Sequence, residues 1–269
     1  MNKFQKLLDF LFEIVDQPSL INLILDRNDA WKRKFEATYG HSHYLKQVQL
    51  SEISDSNTFE VPNVSFLGGG SMPTDLALLR ILCQQITDCE YFEIGTWRGE
   101  SAINVADVTS ACYTLNLSNK ELMALGLHED YAKAQAVLSK DNPRITHLVG
   151  DSKKFDFAGL NKKFDVIFID GNHHYDYVKS DTEKVFKHLV HENSVVVWHD
   201  YAYSPEDVRY EVYKAILDGT DKKIHQKIYH VANSMCAIYT KQDLKKSTLK
   251  IPVLPDKNFT VRFTKTDLK

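Results

Sequence analysis

Glu90-Tyr91-Phe92-Glu93-Ile94-Gly95-Thr96-Trp97-Arg98-Gly99 reads as a buried strand that runs into a glycine turn and then a helix. Tyr91, Phe92 and Ile94 are apolar and suit a pleated surface, Gly95 permits a turn where a side chain would clash, and Gly99 opens the amphipathic run 100–108. A ligand lying across such a turn meets backbone N–H groups and the positive end of a helix. A dinucleotide fingerprint needs a glycine at the second position of G-x-G-x-x-G, so that a pyrophosphate can approach the backbone. Trp97 stands there and Arg98 follows it, which argues against a nicotinamide cofactor.

Outward from this strand the elements alternate as a parallel sheet demands. Pro73-Thr74-Asp75 starts a helix over 75–86 that feeds the organising strand. Strands are predicted over 111–115, 144–149, 164–170 and 194–198, with helices over 129–139, 176–189 and 205–217. The runs V-I-F-I and V-V-V-W are continuous and apolar, as strands buried on both faces require. Two β-prone runs, 223–230 and 234–240, are separated only by Val231-Ala232-Asn233. That gap is too short for a crossover helix, so the runs are antiparallel neighbours. The predicted fold is α/β: a doubly wound, Rossmann-like, seven-stranded sheet, mostly parallel, closed by a C-terminal antiparallel hairpin.

Three regions follow. Residues 1–72 form a helical extension and a lid or linker, 73–243 the sheet domain, and 244–269 a tail read as either a terminal strand or a disordered end. In the extension Phe4, Leu7, Leu8, Leu11, Phe12 and Val15 recur at helical steps, and a second helical run covers 20–35. These helices read as a cap over the active site or as the contact of a homo-oligomer. The stretch 41–70 is irregular and ends in Gly68-Gly69-Gly70. His41, His43 and Tyr44 within it read as ordinary loop residues, because no acidic ligands lie close by in sequence.

A formal net charge of −3 supplies no electrostatic reason to expect a nucleic-acid partner. No window approaches an apolar membrane span, and Asp9 and Glu13 interrupt the N-terminal apolar pattern against a signal peptide. Cys83, Cys89, Cys112 and Cys236 form no C-x-x-C pair and read as buried reduced thiols, the usage of a cytoplasmic protein.

In a doubly wound sheet the loops after successive strands share one rim. That rim collects Glu93, Asn116, Asp151, Asp170, His173, His174, His199 and Asp200, more polar side chains than packing needs. Two neighbouring strands end in carboxylates, Asp170 and Asp200, about 5 Å apart by sheet geometry. Converging carboxylates repel unless a proton or cation sits between them, so a divalent metal is the economical explanation.

Glu93-x-Gly95-x-x-x-Gly99 resembles the E/D-x-G-x-x-x-G first motif of class I S-adenosylmethionine-dependent methyltransferases. The segments Asp170-Gly171-Asn172-His173-His174-Tyr175 and His199-Asp200 resemble the D-G-x-H-x-Y and H-D motifs of metal-dependent O-methyltransferases that act on small molecules and sugars. The resemblance implies S-adenosyl-L-methionine as cofactor, bound by Glu93, Gly95, Thr96, Gly99, Asn116, Asp151 and Asp170, with Asp151 either at the adenine amino group or in a simple turn-forming Asx role. It implies a divalent metal, Mg²⁺ or Mn²⁺, on Asp170, His199 and Asp200, with His173 as the base that deprotonates a small-molecule hydroxyl acceptor. Tyr175 and Tyr201 either line the acceptor pocket or pack beneath the rim, and His174 either caps a helix or faces solvent. Two positions depart from the pattern. Asn116 stands where an acid accepts both ribose hydroxyls, and His199 stands where a third acidic ligand is frequent, although imidazole suits Mn²⁺, Fe²⁺, Ni²⁺ or Zn²⁺ better than Mg²⁺. These departures keep open a second reading, a non-catalytic binding or scaffold protein that retains the fold.

Overall fold

A computed structural model of the chain describes residues 2–21, 27–41 and 44–266. Helices α1 (Lys3–Asp16) and α2 (Asn28–Tyr39) precede strand β1 (Lys46–Val48) and the single turn α3 (Leu50–Ile53). Helix α4 (Pro73–Gln84) leads into β2 (Glu90–Ile94), α5 (Glu100–Val105) and β3 (Ala111–Asn116). Short helices α6 (Asn119–Ala124) and α7 (Glu129–Lys133) are followed by β4 (Ile145–Val149), β5 (Phe164–Ile169), α8 (Tyr175–His188) and β6 (Val190–Trp198). A small hairpin, β7 (Ala202–Ser204) and β8 (Asp207–Val208), then precedes α9 (Tyr210–Asp218), β9 (Ile228–Val231), β10 (Ala237–Tyr239) and β11 (Lys246–Thr248).

The main sheet has the order β11-β1-β9-β10-β6-β5-β2-β3-β4. Strands β4, β3, β2, β5 and β6 run parallel to one another, and β10 is antiparallel to both β6 and β9. The chain thus runs outward from β2 to β4 and returns on the other side of β2 with β5 and β6. Strand order reverses between β2 and β5, and the loops at their carboxyl ends flank the position where open α/β sheets bind ligands.

Alternation along the central strands explains their apolar character. Phe92, Ile94, Ile167, Ile169, Val196 and Trp198 share one core with Phe35 of α2, Val185 of α8 and Ile216 of α9. Tyr91, Val166, Phe168, Val195 and Val197 share the opposite core with Leu78 and Leu79 of α4 and Ala102 and Val105 of α5. Helices therefore cover both faces, and neither register of these strands meets water.

The sheet carries nine strands where seven are predicted. β1 lies inside the stretch read as irregular and runs parallel to β9, while β11 lies in the tail and pairs antiparallel with β1, Lys46 opposite Thr248. Each is three residues long and mostly polar, so neither produces a readable alternation. The helix predicted over 129–139 stops at Lys133. Beyond it the Ala136 and Leu138 amides donate to the Trp97 and Arg98 carbonyls, and Ala136 takes a positive φ of 54°, so this segment docks on the first loop. The helix predicted from 205 begins only at Tyr210, because the β7–β8 hairpin occupies the preceding residues. Of the run 223–230, most is a 3₁₀ turn (Lys222–Lys227), and only its end is strand. In the second N-terminal run, residues 22–26 lie outside the described residues, as does His43; described helix resumes at Asn28. All four cysteines are free and buried. Among the described residues no helix is long and apolar enough to cross a membrane.

Candidate functional site

The first loop is shaped by two glycines. Gly95 has φ 96° and Gly99 φ 83°, and a Cβ at Gly95 would collide with the Asp170 carbonyl oxygen while one at Gly99 would collide with the Ser139 hydroxyl. The close approach of Gly95 sets the turn after β2 directly against the end of β5, whose Asp170 amide donates to the Ile94 carbonyl at 2.8 Å. Neighbouring segments hold the rest of the loop. The Trp97 ring stacks on Tyr131 with centroids 4.1 Å apart, and Arg98 Nη1 donates to the Gly68 carbonyl at 2.9 Å. Thr96 is buried, its hydroxyl against that of Thr114.

Glu93 faces inward from β2 and has no exposed surface. Burial pushes its carboxyl up to about 7, against hydrogen bonds from Ser101, Tyr91 and Thr114 that favour the charged form; the Tyr91 hydroxyl donates to Oε2 at 2.8 Å. Through these contacts Glu93 ties β2 to β3 and to the start of α5, beneath the loop. Asn116 lies at the end of β3 and directs its amide donors to Gln135 Oε1, at 2.5 Å, and to the Leu117 carbonyl, at 3.5 Å. Asp151 turns back on its own loop: Oδ1 accepts from the Lys153 amide at 2.9 Å, an Asx turn.

Four predicted side chains meet at the ends of β5 and β6. His199 is nearly buried; its Nδ1 lies 3.1 Å from Asp170 Oδ1 and 3.2 Å from Asp200 Oδ2, and its Nε2 lies 3.2 Å from Asp75 Oδ2. His173 is half-exposed, with Nδ1 2.8 Å from Asp200 Oδ2. Arg209 stands on the far side, 3.9 Å from Asp200 Oδ1. Asp200 itself has φ 54°, a strained backbone for a non-glycine residue and the kind that collects at functional sites.

The electrostatics follow from crowding acids around two imidazoles. Burial alone would push His199 down, but the charge and hydrogen bond of Asp170, with the hydrogen bonds of Asp200 and Asp75, hold it well above the ordinary histidine value. His173 shows the same competition: desolvation lowers it, and the hydrogen bond and charge of Asp200 raise it further than burial lowers it. Burial would raise Asp200, yet hydrogen bonds from His173 and His199 hold it well below the usual carboxylate range.

The donor set suits a divalent cation. Adjacent ligands around an octahedral ion with bonds of about 2.1 Å stand roughly 3 Å apart, and His199 Nδ1 keeps that spacing from both carboxylates. Asp170, His173 and Asp200 also offer three ligand atoms that all lie within 4.8 Å of one another.

Other predicted residues lie elsewhere. Tyr201 is fully buried, with its hydroxyl accepting from the Leu45 amide at 3.0 Å, and so packs beneath the rim without lining a pocket. Tyr175 stacks on Trp31 and donates to Asp218 Oδ2 at 2.5 Å, joining α8 to the N-terminal helices. His174 precedes α8 as its N-cap residue, and its ring is 3.3 Å from Glu211. Sequence reasoning missed Asp75 and Arg209. Asp75 was fully accounted for as the acidic first turn of a helix, and Arg209 lies nine residues beyond Asp200, past a hairpin that no local pattern announced.

Residues 92–201 match the family model described as Methyltransferase domain. A search of curated proteins returns no match. Among solved structures, the chain is similar to the SAH-bound methyltransferase PaMTH1 of Podospora anserina, at 17% identity over 64% of this chain and 80% of that one, TM-score 0.46. It is similar to an O-methyltransferase from Bacillus cereus in complex with SAH, at 17% identity over 80% and 100%, TM-score 0.46. It is also similar to the O-methyltransferase NovP, at 13% identity over 63% and 80%, TM-score 0.47. The matched segment begins within β2 and contains the glycine turn, Asp170, His173, His199 and Asp200.

Proposed function

We propose that the protein transfers a methyl group from S-adenosylmethionine to a hydroxyl of a small molecule or sugar, with the help of a divalent cation. The observation that carries this reading is the convergence of Asp170, His173, His199 and Asp200 beside the Gly95 turn. Asp170, His199 and Asp200 would hold magnesium or manganese, and the ion would lower the pKa of an acceptor hydroxyl. The cofactor would supply an already activated methyl group, so positioning and deprotonation are the protein's main tasks.

The chain's own groups suit those tasks. The Gly95–Gly99 loop sets its backbone against the reversal point of the sheet, where an adenosyl group would lie. His173 donates from Nδ1 to Asp200, which leaves Nε2 to take the acceptor's proton. Asp200 holds that imidazole in one orientation and favours its charged form once the proton arrives.

The test pairs a binding assay with a kinetic one. S-adenosylhomocysteine should raise the melting temperature of the purified protein. Asp200→Ala should remove Mg²⁺- or Mn²⁺-dependent turnover and leave that shift in place. No stabilisation by any adenosyl compound would reject the methyltransferase reading and favour a scaffold role.

A further inference from the structure

Beneath the carboxylate cluster lies a residue that the matched segment does not contain. Asp75, in the first turn of α4, is fully buried, and its Oδ2 lies 3.2 Å from His199 Nε2 across 124 residues of chain. We infer that Asp75 is a positioning residue: by accepting the Nε2 proton of His199 it turns Nδ1 toward Asp170 and Asp200 as the ligand atom for a divalent cation. The inference rests on the metal-dependent reading proposed above.

The hydrogen bonds around Asp75 decide the direction of its contact with His199. Oδ2 accepts from the Met72 amide at 2.8 Å, and Oδ1 accepts from the Met235 amide at 2.9 Å and from the Cys236 thiol at 3.6 Å. Each of these neighbours donates, so the carboxylate is used as an acceptor on both oxygens. The histidine nitrogen that faces it must then be an N–H. Without a bound cation the carboxylates on both sides protonate both ring nitrogens; a cation seated with Asp170 and Asp200 would displace the Nδ1 proton to solvent, whereas Asp75 keeps the proton on Nε2. Nδ1 is the nitrogen placed 3.1 and 3.2 Å from the Asp170 and Asp200 oxygens. Metal-bound histidines almost always donate their other ring N–H to a carboxylate, carbonyl or water, which fixes ring orientation and raises ligand basicity.

The mounting is rigid. Asp75 is held from two directions, by the N-terminus of its own helix and by the Ser234–Cys236 connection between β9 and β10. The Phe168 ring meets the imidazole edge-on, with centroids 5.9 Å apart. Among the described residues, His199 faces the carboxylates of Asp75, Asp170 and Asp200, the Phe168 ring and the Cys236 thiol, whose sulfur lies within 4.8 Å of a ring nitrogen. This arrangement gives a reason for an imidazole at a ligand position where a third carboxylate would crowd against Asp75.

Mn²⁺ alone is the probe, with binding followed by calorimetry and by electron paramagnetic resonance on the full chain. The wild type should bind Mn²⁺, and Asp75→Asn should weaken that binding by about 10- to 100-fold. In a His199→Ala background the same Asp75→Asn change should have no further effect, because Asp75 acts through His199. A merely structural role would lower the melting temperature in both backgrounds and leave Mn²⁺ affinity alone, which overturns the inference. Should Asp75→Asn fail to fold, nitrogen NMR of Mg²⁺-loaded wild type decides: a proton on Nε2 and none on Nδ1 of His199 supports the assignment, and the reverse overturns it. A wild type without Mn²⁺ affinity overturns the metal reading as well, whereas tight Mn²⁺ binding unaffected by Asp75→Asn overturns only the role of Asp75.

Discussion

At both ends of β6 a histidine meets an aspartate from β5, and the two ends are built on opposite plans. At the start of the strand, His191 Nε2 faces Asp165 Oδ1 at 3.0 Å, Asp165 Oδ2 accepts from the Glu90 amide at 2.8 Å, and His191 Nδ1 accepts from the Asn193 amide at 3.1 Å. Each of these side-chain atoms has a hydrogen-bond partner. At the far end one imidazole serves three carboxylates, a second imidazole leans on one of them, and an arginine stands 3.9 Å away. The same residue types thus make a closed clasp at one end and an acid-rich cluster at the other. The first group joins one acid to one imidazole, whereas at the far end the protons of two imidazoles offset carboxylates that a cation could neutralise in their place.

The largest expected effect tests that contrast directly. His199→Ala should lower methyl transfer by at least about 100-fold, and His191→Ala should leave it within about twofold, both read from initial rates at saturating cofactor. Equal losses would break the distinction between the two ends. Next in size is Gly95→Ala. A side chain at φ 96° that also meets the Asp170 carbonyl should cost about 3 kcal/mol or more in denaturant unfolding.

Glu93 sharpens the contrast from beneath the loop. Its carboxyl is pushed up from 4.5 to about 7, so the fold prefers the protonated form. That preference contributes fully below pH 4.5 and is lost as pH rises through about 7, because over this window the native state binds more protons than the unfolded chain. Glu93→Gln should flatten the decline and leave the protein about 2–3 kcal/mol more stable than wild type at pH 8. Stability curves measured between pH 4 and 8 that superimpose for the two proteins would remove Glu93 from the account. The smallest effect belongs to the clasp at the start of β6: His191→Ala should cost about 1 kcal/mol, the ordinary worth of a hydrogen bond, in a thermal melt.

Much of the fold is legible along the chain. The strand, turn and helix at Glu90–Gly99 follow from apolar alternation and from two glycines that take positive φ where a Cβ would also collide with neighbouring atoms. The antiparallel pairing of β9 and β10 follows from a connection too short for a crossover. Within the site, Asp170, His173, His199 and Asp200 were readable because each stands at the end of an apolar strand run or in the loop that follows, and parallel strands bring such ends together. Glu93 illustrates the limit. It stands one residue before Ile94, and the pleat turns successive side chains to opposite faces, so both of its possible faces lie under helices. No local pattern distinguishes a carboxylate at the rim from one buried below it.

By itself the sequence determined the α/β class, the succession of its parallel strands along the chain and the rim on which its polar residues collect, because steric freedom at glycine and the two-residue period of a strand are properties of neighbours. Only the tertiary structure decided that Lys46–Val48 and Lys246–Thr248 extend the sheet, that Asp151 closes its own turn, and that Asp75 stands beneath His199. Two of these depend on contacts between residues 124 or more positions apart, where the partner's identity leaves no trace in the residues on either side. Asp151 differs because the same short sequence is compatible with a local turn and with a ligand contact, and only the folded loop shows which hydrogen bonds its oxygens make.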